Sequence, residues 1–234
     1  MKKTLIAFCS LFIFSACSEL QQVVNQLPGA TISNMEIANG LQQALQLGID
    51  KQVSKLTATD GFFRNELVKI MLPEELTKVD KTLRDIGLGS LADEGLKVLN
   101  RAAEDAVKEA TPIFIDAVKS ITFDDAKNIL LGDDKAATQF LQNKTNQALY
   151  QRFSPVINNS LQKVGATKVW TDIITRYNNI PLTKDVNPDL TDYVTQEALE
   201  GVYTMISVEE KEIRNNINAR TTDVLRRVFA LQDN

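Results

Sequence analysis

Apolar residues in this chain recur three and four positions apart, and nowhere do apolar and polar residues alternate over the length of a strand. That period places the apolar side chains on one face of a helix and withholds the half-buried strands a sheet requires. Start and stop signals separate the successive stripes. Ser33-x-x-Glu36 has the form of a capping box ahead of Ile37, Leu41, Ala44, Leu45, Gly48 and Ile49. Asp60-Gly61 marks a turn. Phe62, Phe63, Leu67, Ile70 and Met71 form a second helical stripe, and Pro73 opens a third with Leu76, Val79, Leu83 and Ile86, stopped by Gly87. Ser90 opens a central helix with Leu91, Leu96, Leu99, Ala103, Ala106 and Ala110, whose small residues allow a neighbouring helix to approach closely. Thr111-Pro112 starts or kinks the next helix, and Thr122-x-x-Asp125 caps a short one ending at Gly132. A longer helix covers 135–153; Ser154-Pro155 reads as a fresh start that runs to Gly165, and 167–178 carries the only tryptophan, Trp170. The stretch 179–189, with Pro181 and Pro188, is the longest loop. Helices over 190–206 and 208–216 follow, the second capped by Ser207-x-x-Glu210, and Thr221 or Thr222 caps the last. The expected fold is all-α, a single bundle-like domain of about nine to eleven short helices.

The first residues read as an address. Lys2 and Lys3 precede a ten-residue apolar run from Leu5 to Phe14, too short to cross a bilayer as a helix. A basic start, a short apolar stretch and small residues describe a secretory signal peptide over 1–16. Phe14-Ser15-Ala16-Cys17 resembles the lipobox of bacterial lipoproteins, although Phe stands where Leu is commoner. That resemblance implies cleavage before Cys17 and acylation of its sulfur and new amino group, which holds the protein on a membrane. Residues 17–33, polar and interrupted by Pro28-Gly29, form the lipid-anchored tether, with a random-coil span of roughly 20 Å. The folded domain is 34–234.

Processing sharpens the composition. The sequence has no histidine, which excludes a histidine general base, a His-containing triad and a His-ligated metal. Its two cysteines are Cys9, within the signal, and Cys17, so the mature domain has no thiol for a disulfide, metal or nucleophile. Its core alone must stabilise it, which a chain of this length can achieve. Loss of Lys2 and Lys3 leaves 24 basic against 30 acidic side chains, a net of −6, which argues against nucleic acid as partner. No cofactor and no metal site is expected.

What chemistry remains is carboxylate, hydroxyl, amine, guanidinium and phenol. The acidic doublets Glu74-Glu75, Asp93-Glu94, Asp124-Asp125, Asp133-Asp134 and Glu209-Glu210 all fall at or next to expected helix starts, where the helix dipole favours negative charge. Asn100, Arg101 and Glu104, with Asp105, form a polar cluster on the Ala-rich helix; Arg101 and Asp105 are spaced to pair, as are Glu104 and Lys108. If Asn100 and Glu104 face inward they make a buried polar network, structural or ligand-facing. Near the C-terminus Lys211, Arg214, Arg220, Arg226 and Arg227 make a basic stretch, a candidate surface for anionic lipid or a solvated face paired with the acidic doublets. Ser160-x-x-Lys163 has the spacing of a Ser–Lys hydrolase without its accompanying motifs. The catalytic Glu-Ser pair typical of lytic transglycosylases does not occur.

The order and spacing of several segments resemble a bacterial family of unknown function. They are Asp60-Gly61-Phe62, Asn100 to Glu104, Ala136 to Phe140, Asp189-Leu190 with Tyr193 to Thr195, Ala198 to Gly201, Glu210-Lys211-x-Ile213-Arg214, Ala219 to Thr222 and Val228-Phe229. The resemblance implies an exported, mostly helical protein, as are many lipoproteins of Gram-negative bacteria, and brings no activity or catalytic residue. In such bacteria Ser18, rather than Asp, after the Cys favours the outer membrane, facing the periplasm. The expected function is a membrane-anchored binding or structural module for a hydrophobic ligand, a lipid or an envelope protein. The competing expectation is an envelope (peptidoglycan) hydrolase using carboxylates only, with Glu104 or one acidic doublet as the acid; it requires two carboxylates roughly 5–9 Å apart in a closed cleft.

Overall fold

The computed structural model describes residues 33–73, 77–85, 87, 89–179, 181–182 and 185–233. The signal peptide, Cys17, nearly all of the tether, Glu74-Glu75, Leu76, Ile86 and the side chains of Val79, Leu83 and Leu91 lie outside the described residues. From Asn34 onward the chain forms one compact unit. Its helices are α1 (Asn34–Thr57), α2 (Thr77–Asp85), α3 (Gly89–Val107), α4 (Ala110–Lys119), α5 (Phe123–Leu130), α6 (Ala136–Lys163), α7 (Ala166–Asn178), α8 (Leu190–Asn215) and α9 (Asp223–Phe229), with a 3₁₀ turn at Ile217–Ala219. No strand occurs among the described residues, and the all-α expectation holds.

The two longest helices, α6 and α8, form an antiparallel spine. Their register is fixed by Glu210 beside Ala137 and Thr138 at one end, Thr145 Oγ1 to Tyr203 Oη at 2.8 Å in the middle, and Tyr150 Oη to Asp192 at 2.6 Å at the other. Tyr203 is buried, and burial pushes its phenol up to about 12, so the neutral hydroxyl holds the central contact at physiological pH. Helices α1, α3 and α4 close the core around this spine. α7 lies against α6 and α8, where Trp170 stacks on Tyr193 with ring centroids 5.7 Å apart.

Three sequence expectations give way to packing. First, α6 runs unbroken through Pro155. A helix-interior proline costs about 3 kcal/mol. The stripe Leu141, Leu149, Phe153, Ile157 and Leu161 is nevertheless fully buried on both sides of it, at about 1.5–3 kcal/mol per side chain, so continuity wins. Second, α8 continues through Ser207, so Ser207-x-x-Glu210 caps nothing and 190–206 and 208–216 are one helix. Ile206 and Ile213 extend the stripe of Val194, Ala198 and Val202 without interruption. Third, residues 58–73 are turns instead of a helix, and only Phe62 and Ile70 of the expected stripe are buried. Asp60 adopts φ 66°, and a Cβ on Gly61 would stand 2.4 Å from the Lys55 carbonyl oxygen, so the chain leaves α1 by a path only glycine fits. Asn65 Oδ1 then accepts from Leu67 N at 3.2 Å, a local bond that competes with helix.

Other signals hold. Thr122 and Asp125 make a reciprocal capping box on α5, and its two hydrogen bonds lower the Asp125 pKa. Thr222 caps α9 through Leu225 N at 3.2 Å. Gly87 and Gly165 take positive φ after α2 and α6, as helix stops do. α4 begins at Ala110 with Pro112 in its first turn.

Candidate functional site: a polar groove beside a committed interior

Three polar assemblies stand out in the fold, two of them built on residues that the sequence singles out. The first is the Asn100–Arg101–Glu104 cluster. Asn100 is fully buried on α3. Its Oδ1 accepts from Ile70 N at 2.8 Å, and its Nδ2 donates to Ile70 O at 2.9 Å and to Leu96 O at 2.7 Å. Glu104 accepts from Phe62 N at 3.1 Å and Phe63 N at 3.5 Å through Oε1, and from Arg101 at 2.5 Å through Oε2. Arg101 also binds Asp60 at 2.6 Å. These side chains supply the hydrogen-bond partners that segment 58–73 gives up by not being helical. The inward-facing alternative is therefore the one realised, and its job is structural. Arg101 pairs with Glu104 and Asp60, while Lys108 pairs with Asp105 at 2.7 Å.

The second assembly corrects two expectations. Glu209 and Glu210 lie inside α8, toward its C-terminal end, buried, and not at a helix start. Glu210 nonetheless does what a carboxylate at a helix start does, for a different helix. It accepts from Ala137 N at 2.9 Å, Thr138 N at 2.8 Å and Thr138 Oγ1 at 2.7 Å, and so caps α6, whose own N-cap residue Lys135 offers no side-chain bond. Four residues on, Arg214 binds Glu210 at 2.8 Å and donates to Ile129 O at 2.7 Å and Leu130 O at 3.1 Å, the last carbonyls of α5. Acid meets the positive end of one helix and base the negative end of the preceding one, as their dipoles favour. Glu209 takes Lys51 at 2.6 Å and Gln52 at 2.5 Å from α1.

The expected basic surface is also absent as such. Arg214 and Arg220 are buried. Arg220 donates to Ile213 O at 3.1 Å and Arg214 O at 2.9 Å, the closing carbonyls of α8, and forms a two-point ion pair with Asp233, whose pKa it lowers. Arg226 and Arg227 are exposed but paired, with Asp223 at 2.9 Å and Glu36 at 3.2 Å. Orphan helix carbonyls, which periodicity does not reveal, draw the two inner arginines into the core. Of the remaining doublets, Asp93-Glu94 lies in the second turn of α3, with Asp93 bound to Arg84 at 2.7 Å; Asp124-Asp125 opens α5; Asp133-Asp134 precedes α6 and is exposed.

The third assembly was not anticipated. A groove of about 640 Å³ runs between α6 and α8, and one end of it adjoins the Glu210 cap through Thr138. Gln139, Gln142 and Asn146 line it from α6, and Gln196, Glu200, Thr204 and Ser207 from α8, with Lys135 and Val208 at one end. Its floor is Thr138, Leu199 and Tyr203, all buried. Apart from Thr138 and Tyr203, the polar side chains of the groove make no hydrogen bond or ion pair within the described residues. Beside it, burial and the neighbouring Glu200 raise the pKa of Glu197, but Glu197 does not line the groove. The sequence carried a trace of the groove in these polar positions three and four apart, a pattern that equally describes a solvated helix face. By contrast, a cavity in the core between α1, α6 and α8, lined by Leu41, Leu45, Ile49 and Ile206, encloses only about 30 Å³, room for about one water and not for an acyl chain.

No group of three or more His, Cys, Asp or Glu side chains that could hold a metal occurs among the described residues, and no described helix is long and apolar enough to cross a membrane. Fold and site define an all-α domain built on an antiparallel helix pair, with its buried charges committed to helix ends and its open polarity gathered in one groove. The chain belongs to the family described as a protein of unknown function, DUF4197, which matches residues 31–230. No curated protein and no solved structure matches it.

Proposed function

We propose that the protein is an exported, lipid-anchored envelope module that binds a partner without catalysing a reaction, with the α6–α8 groove as its binding face. One observation carries the binding half of this reading: each buried charged side chain has a partner inside the fold, whereas the polar side chains of the groove have none beyond the floor contacts. Desolvating unpaired amides is costly, so unpaired polar side chains persist where water or a ligand satisfies them. The groove is polar and the core cavity is water-sized, which favours a polar partner over the hydrophobic ligand or lipid that the sequence also allowed. A carboxylate-only hydrolase fits less well. Glu104, Glu209 and Glu210 are engaged by the fold, and the raised Glu197 does not face the groove with Glu200. The anchoring half rests on Phe14-Ser15-Ala16-Cys17, and Ser18 favours the outer membrane, facing the periplasm. Cys17→Ala, or inhibition of lipoprotein signal cleavage with globomycin, tests it. The variant moves from the membrane to the soluble fraction, and inhibitor-treated cells accumulate the uncleaved form. Unchanged fractionation and processing contradict lipidation.

A further inference from the structure

We infer that the groove between α6 and α8 takes an extended polypeptide segment, read through its main chain and favoured by a basic side chain next to Glu200. This inference rests on the groove being the binding face. An extended chain presents backbone N–H and C=O groups with a two-residue repeat of about 6.4–6.8 Å. Positions four apart on a helix rise by about 6 Å. Gln142 and Asn146 on one wall, and Gln196, Glu200 and Thr204 on the other, follow that four-residue spacing. A carboxamide carries both a donor and an acceptor, so it answers either backbone group whatever the side chains are. From Gln196 to Val208 the wall is about 18 Å long, room for about five or six extended residues.

The lining also separates peptide from sugar. Sugar sites characteristically offer an aromatic face. The groove's aromatic residue, Tyr203, is buried, with its hydroxyl held by Thr145. Charge then orients the segment. Glu200 makes the middle of the α8 wall negative, while Lys135 stands at the end where Glu210 caps α6. A chain with a basic residue near its centre and an acidic one toward the Lys135 end matches both.

The test uses the full chain in detergent, with fluorescence polarisation of end-blocked hexapeptide pools randomised one position at a time, and with chitohexaose as the sugar probe. Gln142→Trp fills the groove and Glu200→Gln removes its central charge. Both positions are exposed, so both variants keep the parent's circular-dichroism melting profile. The expected result is saturable binding of peptide pools, strongest with Lys or Arg at one position. Gln142→Trp weakens it at least about tenfold, and Glu200→Gln erases the basic preference. Peptide binding that survives Gln142→Trp, or no peptide binding at all, overturns the inference. If chitohexaose alone binds and Gln142→Trp abolishes it, the groove remains the binding face and the peptide assignment falls. If neither probe binds, both readings fall together.

Discussion

Helix α8 carries two sets of polar side chains that the fold treats in opposite ways. Toward α1, α5 and the start of α6, Glu209, Glu210 and Arg214 are buried and hydrogen-bonded to side chains, backbone N–H groups and carbonyls of other helices. Toward the groove, Gln196, Glu200, Thr204 and Ser207 meet no partner in the fold. The first set, toward the C-terminal end of α8, thus carries chemistry that holds helices together. The second set, nearer the N-terminal end, leaves its polar groups to water or to another molecule. Charge and residue type alone do not distinguish the two, since Glu200 and Glu210 are the same residue on one helix. Placement relative to helix ends does.

The largest effect that would break this contrast is expected at Glu210. Glu210→Ala leaves Arg214 buried without its acid and two α6 N–H groups uncapped, a destabilisation of about 3–5 kcal/mol in urea unfolding. Pairing it with Arg214→Met restores part of that loss, because the orphaned charge is then removed. Effects below about 0.5 kcal/mol for Glu210→Ala, the range of ordinary surface changes, would place Glu210 with the groove residues instead. A smaller effect is expected at the α3 staple. Asn100→Ala removes three hydrogen bonds and leaves Ile70 N and O buried, costing about 1–3 kcal/mol and raising hydrogen exchange at Ile70 ahead of global unfolding.

The smallest expected effect is pH-dependent and sits beside the groove. The Glu197 pKa is raised in the folded state by burial and by Glu200. The folded chain therefore holds this proton to higher pH than the unfolded chain does. Stability falls as pH rises from the ordinary glutamate range through the raised value. Glu197→Gln removes that decline and is more stable than the parent at neutral pH, as urea midpoints at pH 4 and pH 7 report. An unchanged pH slope would mean that Glu197 is as well solvated as Glu200.

What was legible in the sequence follows the same division. Signals whose partner lies within four residues were readable: the Thr122–Asp125 box, the Thr222 cap and the stops at Gly87 and Gly165. Apolar periodicity gave the all-α class and most of the core. Sequence and structure part where a local signal opposes a continuous stripe, as at Pro155 and Ser207. The Glu209-Glu210 doublet looked like a helix start because its true partners, Ala137 N and Thr138 N, are 73 and 72 residues away. Arg214 looks like surface for the same reason, its carbonyl partners lying 84 and 85 residues away, whereas Arg220 reaches back only six and seven residues to the end of α8, through a turn that apolar periodicity does not reveal. The groove requires knowing that α6 and α8 run side by side, which no single-helix pattern states.

Hydrogen exchange of side-chain carboxamides, followed by nuclear magnetic resonance on the free protein, tests the contrast most directly. The Nδ2 protons of Asn100 should exchange slowly, being buried and donated to Ile70 O and Leu96 O. The Nε2 protons of Gln139, Gln142 and Gln196 and the Nδ2 protons of Asn146 should exchange at the rate of free amides. Groove carboxamides protected as strongly as Asn100 would show that the fold already satisfies them, and would contradict the account.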